Sequence, residues 1–546
     1  MRRLNIKLLQ LIFFIVLVSA KVYSQNSIEW QQTIGGVHSE YLYKIVPTPD
    51  YGFLLVGSSF SSETGNKEEI GRGNLDYFLW KMDESGKMEW QKSYGGAGND
   101  FLYSAAITKD GGFILGGSSA TVGNSPENIG DKKHPGYGNM DFWILKLNPE
   151  GNEEWQLTLG GIGNDQLQSI QQTPDGGYIV GGSSDSSNPL IEDGKSRLFQ
   201  TKGQDSFGSM DYWVVKLSAT GKIEWEKTYG GEYRDELKEI IIAENGYIVA
   251  GNSNSGISGS KTIENIGQND FWLIGIDGQG NKLWQKSYGG AGDENLAGIL
   301  PTETGFLLAG SSNSKPDVGG GKKANNGEDT DFWVIATDKD GNPLWDNTYD
   351  IGKWDVLVSI TKDGDNEFLI SGYAATETLN RQVDNKGIND FVVIKINSKG
   401  EIIWQKSIGA TGTDQLKATA KTRDGGYLLA GNSDSKISDD KDRSSIGGND
   451  YWVVKLGNEA KGAENRNLVE VYPNPTYQFT NVVITQDFKE ATVEVFDMTG
   501  RNLKNRKLTY RSTPVDLQGV VPGVYVFKIT IDGKTQDVKV LKNGSK

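Results

Sequence analysis

The stretch FLYSAAITKDGGFILGGS at residues 101–118 holds two short apolar runs, Phe101–Thr108 and Phe113–Ser118, on either side of the turn Lys109-Asp110-Gly111-Gly112. A glycine-bearing turn between two such runs is a hairpin signal. After a polar loop, Asp141 opens a third run that ends at Leu147. The turn Asn148-Pro149-Glu150-Gly151 then leads to a fourth run centred on Trp155. Four short strands joined in this way make one antiparallel sheet.

Three landmarks of this unit recur seven times each. Tryptophan stands at 30, 90, 155, 225, 284, 345 and 404, and an aspartate opens an apolar run at 76, 141, 211, 270, 331, 390 and 450. An aromatic residue or its equivalent follows a turn at 53, 113, 178, 247, 306, 368 and 427. Self-similarity with this period decides an architecture, and four-stranded units of about this length predict β-propeller blades. The first tryptophan run, Ile28–Thr33, has no Asp-type run before it, and the last Asp-type run, Asp450–Leu456, has no tryptophan run after it. Two orphans at opposite ends predict a pair that removes the open edges of the ring. The expected fold is all-β: a seven-bladed β-propeller over residues 26–456, closed by its N-terminal strand.

Composition narrows the chemistry. The chain of 546 residues has no cysteine, which excludes disulfides, thiolate metal sites and a thiol nucleophile. Its two histidines, His38 and His134, argue against histidine-based zinc sites and Ser-His-Asp catalysis. Residues 1–25 carry four bases and no acid, and residues 468–546 carry eleven bases against eight acids; with a total of −15, residues 26–467 hold −22. A body that acidic repels phosphate backbones, so nucleic acid is excluded as a partner. At the N-terminus, Arg2, Arg3 and Lys7 precede the apolar run Leu8–Val18 and the small residues Ser19, Ala20 and Ser24. That order reads as a signal peptide over residues 1–24, and no other stretch is apolar enough to leave a transmembrane segment in the mature chain.

The repeat scheme resembles bacterial propellers of the WD-repeat and quinoprotein-like kind in architecture alone, and neither quinone nor sialidase chemistry carries over. The polar segment 457–467 reads as a linker, and the repeat stops there. Beyond it come Val471-Tyr472-Pro473-Asn474-Pro475, then Val493–Arg501 with Asp497 and Gly500, then Val515-Asp516-Leu517, then Val521-Pro522-Gly523-Val524-Tyr525. Together these resemble the type A C-terminal sorting domain of the type IX secretion system of Bacteroidetes. The resemblance implies a small Ig-like β-sandwich over residues 468–546 and recognition of Pro473, Asn474, Pro475, Asp497, Gly500, Gly523 and Tyr525 as motif positions. It further implies a translocon and sorting machinery as partners, with release or display at the outer cell surface.

For the body, two acid series compete for attention. Five residues after the first glycine of each Gly-Gly position or its equivalent stands Glu40, Asp100, Asp165, Asp235, Glu294, Asp355 or Asp414. As a ring around one mouth of the channel, these would hold a hard cation such as Ca2+ or a basic partner group. As turn residues, each would accept backbone N–H groups within its own blade. The Asp76-to-Asp450 series carries the same two readings. No organic cofactor is indicated. Long loops on one face are where binding resides on such scaffolds, and Tyr137, Phe199, Phe207 and Trp354 are the loop aromatics off the repeat pattern. The expected activity is non-catalytic binding or adhesion toward a glycan or a surface protein. The alternatives are a hydrolase or lyase built on paired carboxylates, which would break the seven-fold pattern, and a structural part of an adhesion or gliding apparatus.

Overall fold

The computed structural model describes residues 27–121, 130–187, 201–316, 322–323, 329–375, 386–458 and 468–544. Among these residues there are strands, turns and bridges but no helix. The segment 1–24 read as a signal peptide lies outside the described residues, as do Phe199 and most of the segment 457–467 read as a linker.

Each repeat folds into a separate four-stranded antiparallel sheet whose strands pair in chain order, and none of these sheets closes on itself. In the repeat quoted above the strands are Asp100–Ile107, Phe113–Ser119, Asp141–Leu147 and Glu153–Leu159. The sheet holding Asp414–Lys421, Tyr427–Ser433 and Asp450–Leu456 takes its fourth strand from the N-terminus. There Ile28–Ile34 pairs antiparallel with Asp450–Leu456, Gln31 facing Val454. The first strands of consecutive sheets lie beside one another, and the first strand of the last sheet lies beside Glu40–Pro47 of the first.

Burial follows from this stacking. The second and third strands are buried along most of their length, Phe113–Ser119 and Asp141–Leu147 at every position, because another sheet covers each face. They therefore read as continuous apolar runs rather than as alternating ones. The core is divided into clusters shared by neighbouring sheets. Leu79 and Val56 pack with Leu115 and Trp143, while Phe78 and Leu55 on the other face pack with Tyr451 and Val453. The repeat tryptophans of the fourth strands are half-buried and reach the next sheet: the Trp90 ring lies 6.0 Å from that of Phe113. Gly151 turns directly against Trp90 at φ +80°, and a Cβ there would stand 2.9 Å from the indole. Both the backbone and the ring require glycine at that position.

The C-terminal segment has two sheets. Val469–Tyr472, Phe479–Ile484 and Ser512–Asp516 form one; Asn502–Leu508, Ala491–Asp497, Gly523–Ile531 and Lys534–Lys542 form the other. Val482, Val493, Val495, Phe527 and Ile529 fill a common core.

Candidate functional site

The first acid series is fully buried: Glu40, Asp100, Asp165, Asp235, Glu294, Asp355 and Asp414 are each 0 % exposed. Each accepts an N–H of its own turn, Gly96 to Asp100 at 2.7 Å and Gly36 to Glu40 at 3.0 Å; Gly161, Gly231, Gly290, Ile351 and Ala410 do the same for the other five. This is the turn-fixing arrangement, with the carboxylates directed into the sheet junctions. The second series comes to the same junctions. Asp141 stands beside Asp165 of the following sheet, and a Cβ on Gly160 would meet both, at 2.0 and 2.8 Å.

Sequence reasoning missed the partner of these acids. Lys67, Lys132, Lys202, Lys261, Lys322 and Lys441 each stand nine residues before an Asp of the second series, and each is at most 2 % exposed. The equivalent of the remaining repeat falls on position 381, outside the described residues. Lys261 Nζ donates to Ser253 Oγ at 2.7 Å and to the Ser255 carbonyl at 2.6 Å, 5.4 Å from the Trp272 ring centre. Burial lowers the lysines, Lys261, Lys322 and Lys441 to about 8, and three nearby acids oppose the fall in each case. Burial also raises the acids, Asp141 and Asp211 to about 7 and Asp76 and Asp270 to about 6. Asp450 rises to about 7 from burial and from its hydrogen bond with Glu40. The junctions thus hold buried carboxyl pairs flanked by the chain's own ammonium groups. The spacing of nine was readable in the sequence as a further series, six lysines and, at position 381, an arginine.

A different set of residues meets at the centre. Each of the seven first strands carries a β-bulge two residues after a buried leucine's N-terminal neighbour, and the bulged positions are Tyr43, Tyr103, Gln168, Lys238, Ala297, Val358 and Lys417. A bulged residue is unpaired in the ladder, and the local bend re-aims its side chain. All seven line one cavity of about 340 Å3. They lie three residues after the buried acids, where the repeats have no common residue, whereas the preceding position is leucine in all seven (42, 102, 167, 237, 296, 357 and 416).

The wall of this cavity is chemically two-sided. Tyr43 and Tyr103 meet edge to face at 4.8 Å, and Phe101 stacks on Tyr103 at 5.9 Å. Elsewhere stand Lys44, Glu239, Lys238 and Lys417. Lys44 Nζ donates to Ser104 Oγ at 3.4 Å, and Glu239 Oε2 accepts the Ile299 N–H at 3.0 Å. Burial lowers Lys44 and raises Glu239, and each moderates the other's shift. Lys238 is 3.5 Å from Glu236, which also pairs with Arg234.

Of the loop aromatics singled out from the sequence, the three among the described residues make no ring contact with one another. Phe207 and Trp354 are 50 % and 61 % exposed on separate loops, and Tyr137 is partly buried, its N–H given to Asp141 at 2.7 Å. One junction departs from the repeat. Asp350 replaces the glycine that stands at 35, 95, 160, 230, 289 and 409, and Asp331, Asp350 and Asp355 place one oxygen each within 4.8 Å of the others. That spacing could hold a hard cation.

In the C-terminal segment the motif residues shape turns and strand ends. Asp497 Oδ1 accepts from the Thr499 and Arg501 N–H groups at 2.9 and 3.1 Å across a turn with Gly500 at φ +84°. Asn474 bonds the Lys539 carbonyl and the Leu541 N–H, at 2.8 and 2.9 Å. Gly523 begins a strand, and Tyr525 OH donates to the Val521 carbonyl at 2.5 Å. The segment also lies against turns of the body: Arg511 meets Asp83 at 3.2 Å, Arg506 meets Glu150 at 2.5 Å, and Glu470 meets Arg423 at 2.5 Å.

Residues 470–543 match the family described as Secretion system C-terminal sorting domain. The sorting-domain resemblance read from the sequence is borne out there, and a chain with this domain is cargo for type IX secretion, destined for the medium or the cell surface. A curated relative, the "Regulatory protein FlaEY" of Caulobacter vibrioides, is 24 % identical over 242 residues, 43 % of this chain; the chain spans only 24 % of that relative's length. Among solved structures, a phage phi92 endosialidase is similar at TM-score 0.40 and 10 % identity, covering 95 % of this chain and 88 % of its own. The plexin A4 extracellular region gives 0.38 and 9 %, with coverages of 93 % and 67 %. The extracellular domain of a putative one-component system from B. thetaiotaomicron gives 0.24 and 11 %, with coverages of 95 % and 86 %.

Proposed function

We propose that the seven sheets are the blades of one propeller closed by the N-terminal strand, and that this type IX cargo is a non-catalytic binding module whose ligand sits in the central channel. The chain then divides into a signal peptide at 1–24, the propeller at 26–456, a linker at 457–467 and an Ig-like sorting sandwich at 468–546, with removal of the last in the linker. The single observation that carries the binding reading is the bulge set. Seven inner strands direct their bulged residues into one cavity, and these positions vary while their leucine neighbours do not. A repeat scaffold needs no such variety, whereas a ligand, which has no seven-fold symmetry, does. The cavity lies at the lower end of the ~300–1,000 Å3 range of ligand sites. Binding is favoured over carboxylate-based hydrolysis because Glu239 is the one carboxyl among the lining residues, and acid/base glycosidases use two.

The test is a glycan and polymer array probed with the full chain, followed by analysis of each captured ligand. Capture of an intact ligand, lost in a Tyr43→Ala, Tyr103→Ala double variant, is the expected result. New reducing or unsaturated ends would overturn the non-catalytic reading. Capture undiminished in the double variant would move the site off the channel.

A further inference from the structure

Charge within the cavity is unevenly matched. Lys44 and Glu239 act on each other, and Lys238 has Glu236. Lys417 differs. Its Nζ reaches Gln415 Oε1 at 3.4 Å and lies 5.6 Å from the Tyr373 ring centre, both neutral groups. Burial alone lowers it, with no carboxylate acting on it among the described residues. An ammonium so placed is stabilised by an anion that enters from outside, because a charge removed from water is costly until paired.

The anion's class follows from the rest of the wall. One unmatched lysine and no arginine among the lining residues suit a single negative charge, not the dianion that a forked guanidinium grips. Ser104, Ser169, Ser359, Thr361 and Thr419 also line the cavity, and hydroxyls of this kind both donate and accept. The Tyr43–Tyr103 pair offers ring surface at the same level. Mixed hydroxyl partners, ring surface and one cation describe a polyhydroxylated monoanion. We propose that the channel binds a small hydroxylated carboxylate, a sugar acid, with its carboxylate on Lys417 and its ring against Tyr43 and Tyr103. This rests on the reading of the channel as a binding site and specifies what it takes. The same chemistry is presented by a free uronic acid and by the end of an acidic polysaccharide.

Calorimetry on the full chain with D-galacturonate, D-galactose, inorganic phosphate and polygalacturonate tests it. Galacturonate should bind about ten- to a hundredfold more tightly than galactose, the factor expected of one charge-assisted bond. Lys417→Met should erase that preference and Lys417→Arg should restore most of it, with unchanged melting temperatures as the control for folding. Tighter binding of polygalacturonate per chain end than of the monomer would assign the polymer end as the source; equal binding would assign the free acid. Equal affinity for galactose and galacturonate, or tighter phosphate binding, would overturn the carboxylate assignment while leaving the channel as a site. Galacturonate binding untouched by both Lys417→Met and the Tyr43→Ala, Tyr103→Ala variant would overturn the channel reading itself. No heat with any of the four would overturn the sugar-acid proposal.

Discussion

Replacing Asp141 by asparagine isolates what one buried junction acid costs. Its Oδ2 accepts from the Tyr137 and Gly138 N–H groups at 2.7 and 3.4 Å, while Oδ1 is buried against Gly160 without a hydrogen-bond donor. Burial raises the group to about 7, and Asp165 beside it adds to the rise. An unfolded aspartate titrates near ~3.9, so the folded state holds a proton that the unfolded state has lost between about pH 4 and pH 7. Because the folded pKa is the higher one, the stabilising contribution is complete below pH 4 and disappears as pH rises through 7. About three pH units at ~1.36 kcal/mol each set an upper bound of ~4 kcal/mol. Asparagine keeps an oxygen for the two N–H groups, is neutral throughout, and places an NH2 toward Asp165. The stability of Asp141→Asn relative to the parent should therefore rise by up to ~4 kcal/mol from pH 4 to pH 8. Urea denaturation followed by tryptophan fluorescence at pH 4, 6 and 8 measures it. A difference between the two proteins that does not change with pH would refute the argument.

Three further outcomes follow from the same geometry. Gly160→Ala puts a Cβ 2.0 Å from Asp141 Oδ1 and 2.8 Å from Asp165 Oδ2, so it should cost about 1–3 kcal/mol in the same denaturation assay. Lys261→Met leaves Asp235 and Asp270 without their ammonium and should cost about 3–5 kcal/mol at pH 7, less at pH 5 where the acids take up protons; a small, pH-independent loss would dismiss the lysine's role. The triple variant Arg423→Ala, Arg506→Ala, Arg511→Ala removes the bonds to Glu470, Glu150 and Asp83, and should loosen the sorting segment from the body, seen as a larger radius by small-angle scattering with an unchanged thermal midpoint of the body.

Much of this was legible because the scaffold repeats. The strand Asp141–Leu147 could be read from its aspartate and its unbroken apolar run, since a strand covered on both faces has no polar alternation to blur it. The acids were legible as residues but their direction was not: a sequence places Asp165 at the head of a strand without saying whether its oxygens face the channel or the Gly161 N–H. Lysines escaped notice because a lysine in a polar loop reads as solvated, and only the fold buries Lys132 at 1 % exposure. The bulges were invisible, since the extra residue in Leu102-Tyr103-Ser104 exists only relative to the opposite strand. In the sorting segment, Asn502–Leu508 passes as loop by composition, being a polar strand whose Leu508 alone is fully buried.

The contrast between the two inner positions explains where chemical variety can collect on such a scaffold. Leu42 and its equivalents are held by two constraints at once, ladder pairing with the second strand and burial in a core shared between sheets. The acids and lysines at the junctions are held by a third, since removing either charge strands the other in a medium where it cannot be hydrated. The residue between Leu42 and Lys44 escapes all three: it is unpaired, it faces the cavity, and its charge is balanced locally or not at all. Substitution there costs little packing, so one fold can carry tyrosine, glutamine, lysine, alanine and valine at equivalent points. Lys417 and Tyr43 are therefore more informative about the ligand than the acids that recur at every turn.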